Sequence, residues 1–80
     1  MWQVYILQCN DKTFYTGITT DLARRIIEHN SSDLGARYTR SRRPVKLVYA
    51  IFKQDRSSAA QEERRIKKLS RSEKLKIINK

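Results

Sequence analysis

Arg25 and His29 stand four residues apart in the stretch "DLARRIIEHN", so a helix through it presents both side chains on one face. Arg24 and Glu28 share that spacing and are expected to pair with each other on another face. A planar guanidinium beside an imidazole suits the handling of an oxyanion. The fork grips phosphate oxygens two at a time, and the ring orients a neighbour or carries a proton near neutral pH. Two phenols lie upstream, Tyr5 and Tyr15. If the chain between them turns on the three residues "NDK", Cys9 pairs with Thr13, Leu7 with Tyr15 and Tyr5 with Gly17, which brings both phenols to one face; a four-residue loop sends them to opposite faces. Gly17 sits at the end of that second strand, where a missing side chain lets backbone or phosphate come close. Among the 8 acidic residues, Glu63 falls between Ala59 and Ile66 on a helical wheel, beside the stripe that would face a sheet. Glu62 is also near that stripe and Lys67 follows Glu63 by four, so spacing leaves open which carboxylate matters and whether Glu63 simply pairs with Lys67.

The elements that must hold these groups follow from composition and periodicity. Residues 2–9, "WQVYILQC", are rich in β-branched and aromatic types with apolar side chains at both parities, as a strand covered on both faces requires. Residues 13–18, "TFYTGI", resume that composition after a short turn, which predicts an antiparallel hairpin. Thr20 is the expected N-cap of a helix over 21–29, with Asp21 at the positive end of its dipole and Leu22, Ala23, Ile26 and Ile27 on its apolar face; Asn30 and two serines stop it. Segment 30–44 has no periodicity, contains Gly35 and Pro44, and crowds Arg37, Arg40, Arg42 and Arg43 into seven positions, which predicts a basic loop. "VKLVYAIF" (45–52) is a third strand. Ser58 with Gln61 forms a capping box for a helix over 59–69, and Ser70 with Glu73 another for a last helix carrying Leu75 and Ile78. The order β-β-α-β-α-α predicts an α+β fold: a three-stranded, largely antiparallel sheet flanked by helices, in one domain over residues 1–80.

Eighty residues support one modest core. The formal charge of +10, from 18 Lys and Arg against 8 Asp and Glu, favours a polyanionic partner, with nucleic acid first. No apolar run approaches the ~20 residues of a membrane helix, and no basic region leads into an apolar one, so a cytoplasmic, nucleoid-associated protein without a membrane partner is expected. One cysteine and one histidine do not make a four-ligand zinc site, and Cys9 is expected to be a buried strand residue.

Taken in order, "QVYIL", "YTG", "DLARRIIEHN", "GARYTRSRRP" and "EERRIKKLS" resemble the GIY-YIG nuclease superfamily over essentially the whole chain, and most closely its small, stand-alone, single-domain bacterial branch. Gln3, Val4 and Tyr5 stand at the first motif and Tyr15, Thr16 and Gly17 at the second, with nine residues between the two tyrosines. The resemblance implies that Arg25 is the catalytic arginine, that His29 is the polar ring residue one turn later, and that Glu63 is the carboxylate binding a single divalent ion, Mg²⁺ or Mn²⁺. Ile18 replaces the lysine some relatives carry after the second glycine, and Tyr38 stands near the position of a second histidine.

What the resemblance implies is a metal-dependent endonuclease acting on DNA, in repair or recombination. Tyr5 or Tyr15 would be the general base, provided that nearby positive charge makes a phenol more acidic than its usual value near ~10. Arg37, Tyr38, Arg40, Arg42, Arg43 and Lys67 are the expected nucleic-acid contacts, insensitive to sequence and sensitive to salt. A monomer is expected, with a separate protein partner for targeting, since no zinc finger or recognition helix is visible. The competing readings are a non-catalytic DNA- or RNA-binding module of the same fold and a basic domain that docks on a protein or membrane surface.

Overall fold

The computed structural model describes residues 1–31 and 34–79. Strand β1 (Trp2–Gln8) and strand β2 (Phe14–Thr19) form an antiparallel hairpin, and strand β3 (Lys46–Lys53) pairs antiparallel with the other side of β1. The sheet order is β2-β1-β3, so β1 is central and β2 is an edge. Helix α1 (Leu22–Ser31) and a single helical turn α2 (Arg37–Arg40) follow the hairpin; α3 (Arg56–Lys67) and α4 (Arg71–Ile78) follow β3.

The apolar residues at both parities of β1 have the predicted consequence, because Val4, Tyr5, Ile6 and Leu7 are all buried. Val4 and Ile6 pack with Ala59 and Ile66 of α3 on one face, while Tyr5 and Leu7 join Cys9 and Val45 beneath Leu22 and Ile26 of α1 on the other. The hairpin turns on three residues: Cys9 N–H donates to the Thr13 carbonyl at 2.8 Å, and Leu7 pairs with Tyr15 and Tyr5 with Gly17. Lys12 takes the positive φ of 71° that the turn needs, and the Asp11 carboxylate accepts from both the amide and the hydroxyl of Thr13.

Five local expectations change. The cap of α1 is Asp21 rather than Thr20, its carboxylate accepting from Arg24 N–H at 3.2 Å. Its inward stripe is Leu22 and Ile26, half-buried, and His29, fully buried, with Ala23 exposed and Ile27 64% exposed, so the inward face is rotated toward the polar positions. The helix runs past residue 29 to Ser31 because Arg43 donates to the carbonyls of His29 and Glu28 and supports its last turn; of the two serines expected to stop it, Ser32 lies outside the described residues. The cap of α3 is Asp55, accepting from Ser58 N–H at 2.7 Å, so this helix begins at Arg56 and not at 59. The basic loop also holds α2, which its sequence did not announce, whereas the Ser70–Glu73 capping box of α4 is present with both of its hydrogen bonds.

Candidate active site

Tyr5 projects from the middle of β1 toward α1 and lies over the backbone of Gly17. The glycine is a steric requirement, since a Cβ at position 17 would stand 2.5 Å from Tyr5 Oη and 2.7 Å from its Cζ. Passing over that gap, the phenol reaches α1, where its oxygen lies 2.9 Å from His29 Nε2. His29 is fully buried and not the surface residue that a helix C-terminus usually carries. Its Nδ1 lies 2.9 Å from Thr39 Oγ1, and the Thr39 hydroxyl donates to the Ala36 carbonyl at 2.9 Å.

This chain fixes its protons. A hydroxyl has one hydrogen, and Thr39 spends it on Ala36; Nδ1–H therefore donates to Thr39, and the bare Nε2 accepts from Tyr5 O–H. The Ala36 amide approaches Nδ1 at 3.4 Å and would prefer the other tautomer, but that single long contact is outweighed by the 2.9 Å bonds. No buried side-chain nitrogen or oxygen among the described residues lacks a partner, so the network is complete in its resting form.

Both ionisable members are held neutral. Burial, reinforced by Tyr15, pushes Tyr5 up to about 12, against an opposing pull from Arg25. Burial also pushes His29 down to about 4, helped by the positive charges of Arg25 and Arg43 and resisted by Glu28. The expected acidification of a tyrosine by its cationic neighbour is therefore not what Tyr5 experiences, because desolvation of the phenolate outweighs Arg25. Tyr15 sits on the same face, its ring 6.4 Å from that of Tyr5 and 5.1 Å from that of His29, so the two phenols and the imidazole do converge.

Arg25 belongs to the same group, but it is not separate from the second pair on its helix. Its Nη1 donates to Glu28 Oε1 at 3.0 Å and to the Leu34 carbonyl at 2.7 Å, while Arg24 reaches the other Glu28 oxygen only at 3.8 Å. Glu28 thus holds Arg25 first. Arg24 and Glu28 do pair, as the spacing predicts, but they do not leave Arg25 separate, because its i,i+3 contact with Glu28 is the closer one.

Glu63 comes from α3, on the opposite face of the sheet, and its charge is felt at Tyr5, where it opposes ionisation. Its carboxylate pairs with Lys67 at 3.2 Å, and Lys67 lines a cleft with Tyr15 and Thr16. Glu62 is bonded twice to Arg65, at 2.9 and 2.7 Å, so both carboxylates that spacing left open have a cationic partner on their own helix. No cluster of three or more His, Cys, Asp and Glu among the described residues could enclose a metal. One carboxylate with waters and a substrate phosphate is nonetheless a coordination that magnesium accepts, so Glu63 fits such an ion once Lys67 gives way.

Two clefts flank the outer edge of β2. One, of about 360 Å³, is lined by Trp2, Thr19, Arg24, Arg25, Glu28 and Arg56 among others; the second, of about 250 Å³, is bounded by Phe14, Tyr15, Thr16, Tyr38, Lys67 and Lys74. Of the other expected nucleic-acid contacts, Arg37 and Arg40 are exposed on α2. Arg42 lies 4.0 Å over the Tyr38 ring and pairs with Asp11 at 3.1 Å. Arg43 differs from its expected role: it is turned inward onto the carbonyls that end α1.

Sequence reading missed Thr39, Glu28 and Gly35. Thr39 sits in an aperiodic segment and nothing local marks it. Gly35 does carry a signal, being a glycine in the loop, and its reason is contact: a Cβ there would meet the Glu28 carbonyl oxygen at 2.6 Å and His29 Cα at 2.9 Å. Only a bare backbone lets this segment lie against α1 and bring Thr39 to His29.

Comparison with known proteins agrees with this geometry. The model of the GIY-YIG catalytic domain matches residues 1–76. The chain is 61% identical over 77 residues to a UPF0213 protein of Desulfotalea psychrophila, covering 96% of this chain and 70% of that one. It is 50% identical over 74 residues to a UPF0213 protein of Halobacterium salinarum, covering 92% and 95% of the two chains. The solution NMR structure of a UPF0213 protein from Bacillus halodurans superposes with a TM-score of 0.62 at 42% identity, covering 99% of this chain and 84% of that one. With the tyrosines of both motifs, the glycine that one of them requires and the arginine-bearing helix gathered on one face of this sheet, the chain belongs to the GIY-YIG family, a family of nucleases.

Proposed function

We propose that this protein is a metal-dependent endonuclease that hydrolyses phosphodiester bonds in DNA, with a role in repair or recombination. The observation that carries the reading is the buried chain Tyr5–His29–Thr39, which meets Arg25 beside an edge strand flanked by two clefts that both contain cationic side chains.

The scissile phosphate would lie along β2, with Arg25 leaving Glu28 to hold two of its oxygens and to stabilise the charge that builds up in the transition state. Tyr5 would take a proton from the attacking water while passing its own to His29 Nε2. No free phenolate is required, so a phenol held up at about 12 still serves as the base. Phosphate binding would prime the step, because an anion against Arg25 offsets one of the charges that depress His29 and makes the ring a better acceptor. Thr39 would keep Nε2 bare by holding the ring proton on Nδ1. Glu63 would hold Mg²⁺ or Mn²⁺, which when bound neutralises charge on the phosphate and on the departing oxygen.

The test is incubation of wild type and Glu63→Ala with plasmid, branched DNA and single strands, in Mg²⁺, Mn²⁺ or chelator. Wild type is expected to cut only with metal, and Glu63→Ala to bind normally while cutting at least about 100-fold more slowly. Tyr5→Phe should lose roughly 10²–10⁴-fold in rate, the range of a general base. Equal cutting by wild type and Glu63→Ala would overturn the assignment.

A second reading, a binding module that does not cut, is favoured by the two ion pairs that occupy the reactive charges, Arg25 with Glu28 and Glu63 with Lys67. Salt-sensitive binding without cleavage in either metal is its signature.

A further inference from the structure

We infer that the cleft between β2, α2 and the last two helices is a subsite for one unpaired nucleobase, so that the preferred DNA substrate carries a single-stranded nucleotide beside the scissile linkage. The inference rests on the nucleic-acid reading above.

The cleft of about 250 Å³ runs over the β2 edge: Tyr15, with Tyr38 stacked on it, belongs to the α1 face of the sheet, whereas Phe14 lies on the face of α3 and α4, the helices that supply Lys67 and Lys74. Tyr15 and Tyr38 are stacked, 6.1 Å apart and inclined by 29°, so two rings already share an orientation that a third flat ring can join. Tyr38 is held in place although 38% exposed: the Arg42 guanidinium covers one side of its ring at 4.0 Å, and Arg42 is itself bonded to Asp11 at 3.1 Å and to the Tyr38 carbonyl at 2.9 Å. An exposed aromatic fixed in this way has little side-chain freedom left to lose when it stacks. Phe14 is likewise covered, by Arg71 at 4.9 Å.

Two features select a nucleotide over other flat ligands, and an unpaired one over a paired one. The lysines place positive charge in the same cleft, where the phosphates of a strand with its base on Tyr38 would run. In a duplex both faces of each base are covered by its neighbours, so only an unstacked base has a face to offer. Tyr5 supplies the reason such a substrate suits the site. Only 1% of it is exposed and its ring lies 6.4 Å behind that of Tyr15, so the phosphodiester must come in close, and a base seated beyond Tyr15 draws it there.

Binding is measured by fluorescence anisotropy in chelator, so that nothing is cut, using three DNA probes of equal length: a single strand, a duplex with a one-nucleotide flap, and a blunt duplex. Each carries 2-aminopurine at the flap position or its equivalent. Wild type should bind the two unpaired probes roughly tenfold tighter than the blunt duplex, about the effect of stacking one base, and quench 2-aminopurine only in those two. Tyr38→Leu should lose that factor and the quenching, and Tyr38→Phe should keep both. Equal affinity for all three probes, or unchanged quenching in a folded Tyr38→Leu, overturns the inference. Its failure is separable from that of the nuclease reading: metal-dependent cutting in which wild type and Tyr38→Leu show the same rates on flapped and blunt duplexes would remove the subsite and leave the nuclease, whereas Tyr38-dependent binding of the unpaired probes without cutting in Mg²⁺ or Mn²⁺ would do the reverse.

Discussion

On one face of the sheet, Val4 and Ile6 meet Ala59 and Ile66 of α3; on the other, Tyr5 and Leu7 meet the half-buried Leu22 and Ile26 of α1 beside its fully buried His29, with Thr39 of α2 buried against the imidazole. The two faces alternate along one strand, yet they are stabilised differently. The α3 face is dry and tolerates error in proportion to lost volume. The α1 face depends on three polar side chains bonded in sequence, so a change at any of them takes from a buried group its shortest hydrogen bond. The difference teaches where this protein can be altered: the first face governs whether it folds, and the second also governs which proton sits where.

The largest expected effect tests whether the faces are independent. Ile66→Ala should destabilise by about 2–5 kcal/mol in denaturant melts. Because Ile66 and the imidazole lie on opposite sides of β1, the variant should retain the acid sensitivity described next; losing it would show that the faces are coupled.

That acid sensitivity belongs to the α1 face alone. An unfolded imidazole takes up a proton near ~6.5, whereas His29 resists until about 4, so stability is lost as pH falls through this window and the loss levels off below it. The expected loss is roughly 2–3 kcal/mol. His29→Gln should be less stable near neutrality and flat between pH about 6.5 and 5.5, above the range in which the unfolded chain begins to protonate Asp11, Asp55, Glu62 and Glu73, all held below their usual values in the fold. A wild-type curve that is also flat in this window would mean that the imidazole is not buried as described.

Thr39→Val should cost about 1–3 kcal/mol by orphaning Nδ1–H, and should slow cleavage more than binding, while Thr39→Ser restores both. If valine and serine behave alike, Thr39 merely fills space. The smallest change belongs to the other face. Asp55→Ala removes the cap of α3 and should lower stability by about 1 kcal/mol without altering the pH dependence.

Much of this was legible beforehand, and what was not has specific causes. The hairpin, the third strand and the capping box of α4 each carry their signal within a few residues, as alternation, turn composition or a Ser–Glu spacing. The caps of α1 and α3 were misassigned because Thr20 and Ser58 lie beside better-placed aspartates, and only backbone geometry decides which carboxylate reaches the third amide. The inward stripe of α1 was misjudged because it runs through His29, a position that hydropathy assigns to solvent and that a tyrosine from another strand makes acceptable inside. Thr39 and the Glu28–Arg25 latch left no trace at all, since their meaning comes from a partner ten residues away or from a choice between two equivalent arginines.

By itself, then, the order of residues determined the strands and the facing of Tyr5 and Tyr15 once the turn length is known. These are consequences of a period of two. Tertiary structure decided the chemistry: that an imidazole lies in the dry interior, that it meets a phenol on one nitrogen and a hydroxyl on the other, and that both stay uncharged. Desolvation and hydrogen-bond direction are properties of what surrounds a group, and those surroundings exist only when β1, α1 and the segment through Gly35 have closed on one another.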